Sequence, residues 1–299
     1  MTKNVLVIGA TGFVGSVLCK KLIERGYRVW GIGRKKYGFL ENDVVGHREF
    51  RFIKCDVTQE IPPIDKYFDG VFHLASQQPS QKNLSYEEYY KGNVKTLINL
   101  RKFLIHSNFL LFASTTKLYK PTSILTENSE LEPSNFYSLT KYISEKWIHL
   151  ERCSKQNVII RFPSICGRNH LGGIIYTLYT LAKSSQPIEV FSKGERLRNI
   201  IHVDDVAEIM IRAYEKRNSF NDYELFIAGS SDSLKMREIA EIVKRLTNSS
   251  SEILLSKKKS SPDWDVVIDI SKIVKKLEFT PMTTGEAIEK YIKEMEGLL

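Results

Sequence analysis

The feature that most constrains this chain is a glycine-rich turn near its start. The turn reads Gly9-Ala10-Thr11-Gly12-Phe13-Val14-Gly15, and it joins an apolar run over 4–8 to a helical pattern over 12–25. A second apolar run over 28–32 completes a strand–turn–helix–strand unit. Glycines at these positions permit a tight turn, close approach of a ligand to backbone and close packing of helix on strand. The pattern predicts a fold in which a helix N-terminus faces phosphate.

The rest of the first half repeats this alternation. Strand patterns over 50–55, 70–74, 109–113 and 158–162 are nearly all apolar, and helical patterns cover 86–107 and 138–154. Such strands are typical of a parallel sheet with both faces covered. The sequence therefore predicts an α/β protein, a doubly wound parallel Rossmann sheet with a smaller C-terminal substrate lobe. We expect residues 1–167 to form the dinucleotide-binding domain, which takes back about 199–228. Residues 168–198 and 229–299 would form the lobe.

Composition and charge limit the cellular compartment and the kinds of partner expected for this chain. The 299 residues are 42% hydrophobic, enough for a large core, and the apolar runs are too short to cross a bilayer. Cys19, Cys55, Cys153 and Cys166 are scattered without metal-ligand spacing, so we expect thiols in the cytoplasm and no metal site. The net charge of +9 is spread along the chain, which favours phosphorylated small molecules over nucleic acid as partners.

The end of the second predicted strand bears on the choice of dinucleotide. An acidic residue usually stands there to bind the ribose of NAD. Here Gly33 is followed by Arg34-Lys35-Lys36, and the first acid is Glu41. A guanidinium can bind a 2′-phosphate that a carboxylate would repel, so NADP is the expected cofactor and NAD the alternative. A solvated basic loop would explain Arg34 equally simply.

Other predicted cofactor contacts follow strands, at the edge where ligands bind in such sheets. Backbone and small side chains of the glycine turn would hold the pyrophosphate. Asp56 and Val57 follow the third strand, and Asn93 lies on the long helix. In the segments up to the long helix, the predicted contacts are Gly9, Thr11, Gly12, Phe13, Val14, Gly15, Arg34, Asp56, Val57, Leu74, Ala75, Ser76 and Asn93, and further contacts are expected from Tyr137, Lys141, Phe162 and Pro163.

A second motif, Tyr137-Ser138-Leu139-Thr140-Lys141, predicts acid–base chemistry. Residues four apart share one helical face, so Tyr137 and Lys141 can face the same ligand. Tyrosine has a pKa near 10, and a nearby cation lowers it towards the working range. Ser114, Thr115 and Thr116 follow the fifth strand, where a hydroxyl can donate a hydrogen bond to a substrate oxygen. The spacing leaves open which of the three acts.

These segments together resemble the extended short-chain dehydrogenase/reductases, the group of nucleotide-sugar epimerases, dehydratases and reductases. The similarity runs over nearly the whole chain, through the glycine turn, 56–57, 73–76, 93–94, 112–119, 137–141, 161–167 and 198–205. It implies a Rossmann domain carrying a small C-terminal substrate lobe.

The resemblance also implies roles for single residues. Thr115, Tyr137 and Lys141 match the catalytic residues, and Lys141 also binds the nicotinamide ribose. The other matched positions contact cofactor or substrate: Phe162 and Pro163 touch the nicotinamide, Ser114, Thr116 and Ser164 face the substrate, and Arg198 binds its diphosphate.

Three departures from the family pattern matter. Thr116-Lys117 replace the Asp-Glu pair of the dehydratases, which argues against dehydration. Arg34 replaces the acid that keeps NAD bound in epimerases. Asn93-Val94 lacks the usual Gly-Thr continuation, so packing of this helix is expected to differ.

These expectations combine into one function. The sequence predicts an NADP-dependent reductase of a keto group on a nucleotide-linked sugar, of the 4-keto-6-deoxy type. The alternatives are an epimerase using the same residues, a reductase of an unrelated carbonyl compound, and a non-catalytic NADP sensor. By resemblance the helices over 86–107 and 138–154 would pair in a homodimer. The alternative is a monomer whose helices pack only on the sheet.

Overall fold

The computed structural model describes residues 3–59, 61, 64, 67–79, 83–104, 106–259 and 263–298. The strands are β1 Asn4–Ile8, β2 Arg28–Gly33, β3 Phe50–Lys54, β4 Gly70–His73, β5 Phe109–Thr115, β6 Gln156–Phe162, β7 Ser164–Cys166, β8 Ile188–Val190, β9 Leu197–Arg198, β10 Ile200–His202, β11 Tyr223–Ile227, β12 Leu234–Lys235 and β13 Ile253–Leu255. The helices are α1 Phe13–Glu24, α2 Asn42–Val45, α3 Tyr86–Tyr90, α4 Thr96–Leu104, α5 Phe136–Glu151, α6 Gly173–Lys183, α7 Val203–Glu215, α8 Met236–Leu246, α9 Ser271–Leu277 and α10 Thr284–Met295.

Seven strands form one parallel sheet in the order β11-β6-β5-β4-β1-β2-β3. The predicted Rossmann-like α/β fold is thereby confirmed. The register aligns Ile8 with Ile32 and with His73, and His73 with Phe112. β1, β2 and β4 therefore end within one residue of one another, and β5 continues three residues further in the same direction, to Thr115. The loops that follow these strands emerge at one edge of the sheet.

The chain divides into two compact units, each assembled from several stretches. The first contains Met1–Leu118, Leu131–Arg161 and Ala207–Phe226, and the second contains Tyr119–Glu130, Phe162–Val206 and Ile227–Leu299. The core of the first unit includes Leu6, Ile8, Val71 and Phe112 from the sheet. In the second unit α6, α8 and α10 supply apolar side chains such as Leu178, Ile239 and Ile288 to a separate core.

The helix predicted over 86–107 is interrupted. Ser85 caps α3 with a capping box, a π-helical turn covers Lys91–Lys95, and α4 continues from Thr96 to Leu104. Residue 105 lies outside the described residues. The π-helical turn contains Asn93, and the expected difference in packing from the family stays a prediction. Such single π turns are frequent at functional sites.

Several short elements had no sequence signal strong enough to predict them. They are α2, α9, β7, β12 and β13, each of two to seven residues. Elements this short carry too few residues for a period to show. Among the described residues, no helix is both long and apolar enough to cross a membrane.

Candidate active site

Two glycines of the turn in the first unit, Gly9 and Gly15, have no room for a side chain. A Cβ on Gly15 would lie 2.1 Å from the carbonyl oxygen of Gly9, and one on Gly9 would lie 2.8 Å from the amide nitrogen of Ala75. Gly9 also has a φ of +89°, which favours glycine. Gly12 starts α1 without a side-chain cap, and the first turn of α1 contains no acidic residue. The turn thus fits a pyrophosphate at the helix N-terminus.

The rest of the turn is held by close packing on the loop after β2. A Cβ on Gly33 would lie 2.4 Å from Oγ1 of Thr11, and the amide of Phe39 donates to the carbonyl oxygen of Thr11 at 3.2 Å. Phe13 and Val14 lie half-buried in the first turn of α1. These contacts fix the turn at the same edge where β2 ends.

Arg34 is exposed directly after β2. The first acid beyond it, Glu41, accepts a hydrogen bond from Nζ of Lys20 at 2.7 Å, and Asp43 lies 3.6 Å from the same nitrogen. The carboxylate of Glu41 is therefore already paired with a cation. The edge next to Arg34 remains suited to an anionic group.

Two further predicted segments follow neighbouring strands in the first unit. Asp56 is half-buried and its Oδ1 accepts a hydrogen bond from the amide of Thr58 at 3.0 Å, while Val57 is buried. Leu74 continues from β4, its amide donating to Ile8 at 2.9 Å, and Ala75 packs against Gly9. These segments line the sheet edge on both sides of the glycine turn.

Asn93 organises the loop after β4. Its Oδ1 accepts hydrogen bonds from Oγ of Ser76 at 2.8 Å and from the amide of Gln77 at 2.7 Å. Its Nδ2 donates to Oγ1 of Thr140 at 2.8 Å. The fully buried Asn93 side chain thereby links the loop after β4 to α5. The hydroxyl of Ser76 is used in this link.

Tyr137 lies in the first turn of α5, one turn before Lys141, and its phenol is hydrogen-bonded to the side chains of Thr115 and Gln78. Tyr137 and Thr115 are each 6% exposed. Burial raises the pKa of Tyr137 to about 12, although the hydrogen bonds from Thr115 and Gln78 oppose this rise. Among the three hydroxyls left open by the sequence, Thr115 is the one joined to the phenol.

Lys141 is buried and donates a hydrogen bond from Nζ to the carbonyl oxygen of Ala113 at 2.6 Å. The same ammonium lies 4.2 Å from the centre of the Phe112 ring. Burial lowers the pKa of Lys141 to about 7, whereas the charge of Glu145 raises it. In the protein without cofactor or substrate, the pKa of Tyr137 is raised, and the lowering that we expected from Lys141 is not found. Burial is the largest cause of the shift of each pKa, and neither shift has the other group among its causes.

Ser114 has a different partner from Thr115. Its Oγ donates to Oε1 of Glu145 at 2.5 Å, and Glu145 forms a buried ion pair with Arg161. Thr116 is 7% exposed and begins a short 3-10 turn, in which Lys117 places Nζ 5.9 Å from the centre of the Tyr137 ring. The proton of Ser114 is therefore committed to Glu145.

The remaining predicted residues belong to the second unit. Phe162 ends β6 and is 3% exposed, Pro163 follows it, and Ser164 begins β7 with an exposed side chain. Arg198 lies in β9 and donates from Nη1 to the carbonyl oxygens of Leu197 and Trp264, each at 2.8 Å. Burial lowers the pKa of Arg198. Their contacts with cofactor or substrate stay predictions.

Sequence reasoning missed three side chains that the structure joins to the site. Gln78 follows β4 in a loop without a motif. Glu145 and Arg161 did carry a signal. Glu145 continues the four-residue spacing of Tyr137 and Lys141, and Arg161 stands alone in an apolar strand, where a charge needs a partner.

One group of potential metal ligands occurs among the described residues, His202, Asp204 and Glu294 in the second unit. Lys290 forms an ion pair with Asp204, and the amide of Arg168 donates to Glu294 at 2.7 Å. The carboxylates are thus already used by protein donors, and we assign no metal to them.

Comparison with known sequences places this site in context. Residues 5–229 match the sequence model of the NAD dependent epimerase/dehydratase family. The chain is 24% identical over 300 residues to the uncharacterized UDP-glucose epimerase YtcB of Bacillus subtilis (strain 168), with 94% of each chain covered. It is 22% identical over 313 residues to a dTDP-4-dehydro-6-deoxy-D-allose reductase of Streptomyces sp, with 96% of this chain and 94% of the relative covered.

Solved structures share the fold. The UDP-glucuronic acid 4-epimerase of Bacillus cereus, in complex with UDP-glucuronic acid and NAD, superposes with a TM-score of 0.84. That alignment covers 99% of this chain and 100% of the other at 21% identity. The likeness extends through both units of the chain and concerns the fold.

Proposed function

Because the chain belongs to the NAD dependent epimerase/dehydratase family, we propose that it is an NADP-dependent reductase of a keto group on a nucleotide-linked sugar, of the 4-keto-6-deoxy type. Family and relatives are NAD(P)-dependent oxidoreductases and epimerases of the extended short-chain dehydrogenase/reductase type. The Streptomyces relative is named as a reductase of a 4-keto-6-deoxy sugar nucleotide.

The single observation that carries the choice of a reductase is the end of β2. Gly33 is followed by exposed Arg34, and the first acid after it in the sequence, Glu41, is paired with Lys20. An epimerase returns its hydride to the sugar and is served by a permanently held NAD. A reductase consumes its cofactor and needs a reduced dinucleotide that exchanges at every turnover. A cationic 2′-phosphate site at Arg34 suits NADPH in that role.

The geometry of the first unit supports the proposed roles in cofactor binding. The glycine turn would hold the pyrophosphate, Arg34 the 2′-phosphate, and Asp56 with Val57 the adenine. Leu74, Ala75 and Ser76 would border the bound dinucleotide. Lys141 would bind the nicotinamide ribose. When bound, the reduced nicotinamide supplies a hydride to the carbonyl carbon.

The protein's own groups complete the reduction by handling the oxygen. The phenol of Tyr137 keeps its proton at neutral pH because its pKa is about 12, so it is available as a proton donor. The carbonyl oxygen gains basicity as negative charge builds on it, and it takes that proton from Tyr137. Thr115 donates its one hydroxyl proton to the same phenol in the free protein, and that proton would turn to the substrate oxygen when substrate binds.

The Lys141 ammonium stabilises the negative charge that Tyr137 acquires on losing its proton. With a pKa of about 7, Lys141 is charged in only part of the protein at neutral pH before ligands bind. Binding of an anionic dinucleotide would favour the charged form. The phenolate is then reprotonated from solvent, which restores the donor.

An epimerase is the second candidate, favoured by the names of several relatives, including those of Bacillus subtilis and Corynebacterium glutamicum. It would use Thr115, Tyr137 and Lys141 in the same roles and return the hydride to the opposite face of the sugar. A screen of UDP- and dTDP-linked 4-keto sugars with NADPH and NADH separates the two, since only a reductase consumes the cofactor in step with product.

We also propose that the protein works in the cytoplasm as a homodimer. Cys19, Cys153 and Cys166 are buried thiols, which suits a reducing compartment. On α5, Leu150 is 79% exposed, which leaves an apolar side chain for a partner helix. The substrate-side roles of Thr116, Ser164 and Arg198, and the contact of Phe162 and Pro163 with nicotinamide, belong to the same proposal.

A further inference from the structure

We infer that Glu145 and Arg161 are positioning residues of the active site, which fasten the end of β5 to the catalytic face of α5 and place a carboxylate one turn beyond Lys141. The inference deepens the proposed function and rests on the roles assigned there to Thr115, Tyr137 and Lys141.

The end of β5 and one face of α5 are joined at three successive positions. Thr115 is hydrogen-bonded to Tyr137, the carbonyl oxygen of Ala113 accepts from Lys141, and Ser114 donates to Glu145. The three α5 residues are each four apart, so they occupy successive turns of the same helical face. This set of bonds therefore holds the end of β5 against α5 at three consecutive strand residues.

The third of these bonds is anchored from β6. Arg161 donates from Nε to Oε1 of Glu145 at 3.0 Å and from Nη2 to Oε2 at 2.6 Å. The two side chains are 5% and 4% exposed. A two-pronged bond of this kind fixes the carboxylate in orientation as well as position. The acceptor of the Ser114 hydrogen bond, the Glu145 carboxylate, is therefore fixed in orientation.

Burial of such a pair is costly compared with an apolar pair of the same size, so stability alone is a weak reason for its presence. Its position supplies a better reason. Fixing Ser114 also fixes its neighbours, the carbonyl of Ala113 and the hydroxyl of Thr115, which contact Lys141 and Tyr137. An error of about 1 Å in such groups can lower a rate on the order of a hundredfold.

The carboxylate also sets the electrostatics of Lys141. The groups with a contact or electrostatic effect involving Lys141 are Glu145 of α5, His73 of β4 and the ring of Phe112 of β5. Tyr137 lies one turn before Lys141 on α5, and Arg161 of β6 binds Glu145. His73 is buried, and burial lowers its pKa to about 3, so it is neutral. Glu145 is therefore the anion that counteracts the burial of the Lys141 ammonium.

The direct test follows the titration of Lys141 by NMR of lysine labelled at Cε, assigned with Lys141→Met, in wild type and in Glu145→Gln. We expect the Lys141 pKa to fall by about 1 or more in Glu145→Gln, because an opposite charge within a few ångströms is lost. Glu151→Gln is the matched control: Glu151 ends the same helix and pairs with Arg101 on the surface. An unchanged Lys141 pKa in folded Glu145→Gln would overturn the inference.

Glu145→Gln leaves Arg161 buried without its anion and could fail to fold. The double variant Glu145→Gln/Arg161→Met removes both charges, a replacement that buried pairs often tolerate. A fall in the Lys141 pKa is expected there too, smaller than in Glu145→Gln because the Arg161 cation is lost together with the anion. The titration needs neither cofactor nor substrate. Failure to reduce any keto sugar would overturn the proposed function and would leave the measured change in the Lys141 pKa unaffected.

The positioning role is tested separately with Ser114→Ala, which keeps both charges. With NADPH and dTDP-4-keto-6-deoxyglucose, we expect kcat to fall about tenfold, because a tenfold loss corresponds to about the free energy of one hydrogen bond. KM and the Lys141 pKa should be unchanged. A kcat equal to that of wild type would show that the bond between Ser114 and Glu145 positions nothing.

Discussion

The ammonium of Lys141 bonds the carbonyl oxygen of Ala113 at 2.6 Å, so the lysine is anchored to the strand that also presents Thr115. Lys141 therefore has a fixed place before any ligand arrives. We expect Lys141→Ala to weaken NADPH binding and to lower kcat, since the residue serves both ribose and phenol. Titration calorimetry and steady-state rates would measure the two effects. If only NADPH affinity or only kcat fell, Lys141 would have one role and not two.

Replacement of the phenol should separate binding from chemistry. In Tyr137→Phe the ring stays buried and only the hydroxyl is lost, so fold and NADPH affinity should hardly change. The turnover rate should fall by about 10²–10⁴, the usual contribution of a general acid. Near-normal turnover would remove Tyr137 from the mechanism. Absence of turnover in the wild type across all keto sugars would instead favour a cofactor sensor.

Cofactor preference should depend on Arg34. NADPH should bind wild type more tightly than NADH, and Arg34→Glu should weaken NADPH binding at least about tenfold, because a charge-assisted bond is replaced by repulsion. Arg48→Glu is a suitable control, since Arg48 is also an exposed arginine of the first unit. Equal affinity of the wild type for NADH and NADPH would contradict the assignment.

Stability should fall with acid because of His73. Burial lowers its pKa from 6.5 to about 3, so the unfolded chain binds more protons than the folded one between these values. The free energy of unfolding should drop on the order of 1.4 kcal/mol per pH unit as pH falls through this window. His73→Leu should flatten the dependence in denaturant titrations, whereas His47→Leu, at an exposed position, should not. Parallel curves for wild type and His73→Leu would refute this cause.

The oligomeric state is open to a simple measurement. Leu97, Leu100 and Leu104 of α4 are fully buried in the first unit, so they are not free to contact a partner. Ile98 of α4 and Leu150 of α5 are 39% and 79% exposed. We expect light scattering at micromolar concentration to give twice the chain mass of 34.4 kDa, and Leu150→Glu to lower it. A wild-type mass equal to one chain would establish a monomer.

The fold was accessible from sequence because the central strands are long apolar runs separated by clear turn signals. The glycine turn, Tyr137 and Lys141 could be proposed as site residues because their spacing itself has a chemical meaning. Thr115 was distinguished from its two neighbouring hydroxyls only by the resemblance to the family. Gln78 could not be proposed, because a loop glutamine has no pattern and its contact depends on where Asn93 holds the loop after β4.

The pKa of Tyr137 could not be predicted correctly either. The sequence shows that Lys141 is one helical turn away, which favours a lower value. It does not show that both groups are buried or that Lys141 bonds Ala113. Burial is a property of the assembled sheet and helices, and here it determines the direction of the shift.

The central claim, reduction of a keto sugar nucleotide at the expense of NADPH, is tested most directly by isotope transfer. NADPH deuterated at the transferable position of the nicotinamide is incubated with the protein and dTDP-4-keto-6-deoxyglucose, and the product is examined by mass spectrometry and NMR. We predict one deuterium on the former carbonyl carbon for each NADPH oxidised. Interconversion of sugar nucleotides without net oxidation of NADPH would contradict the account and identify an epimerase.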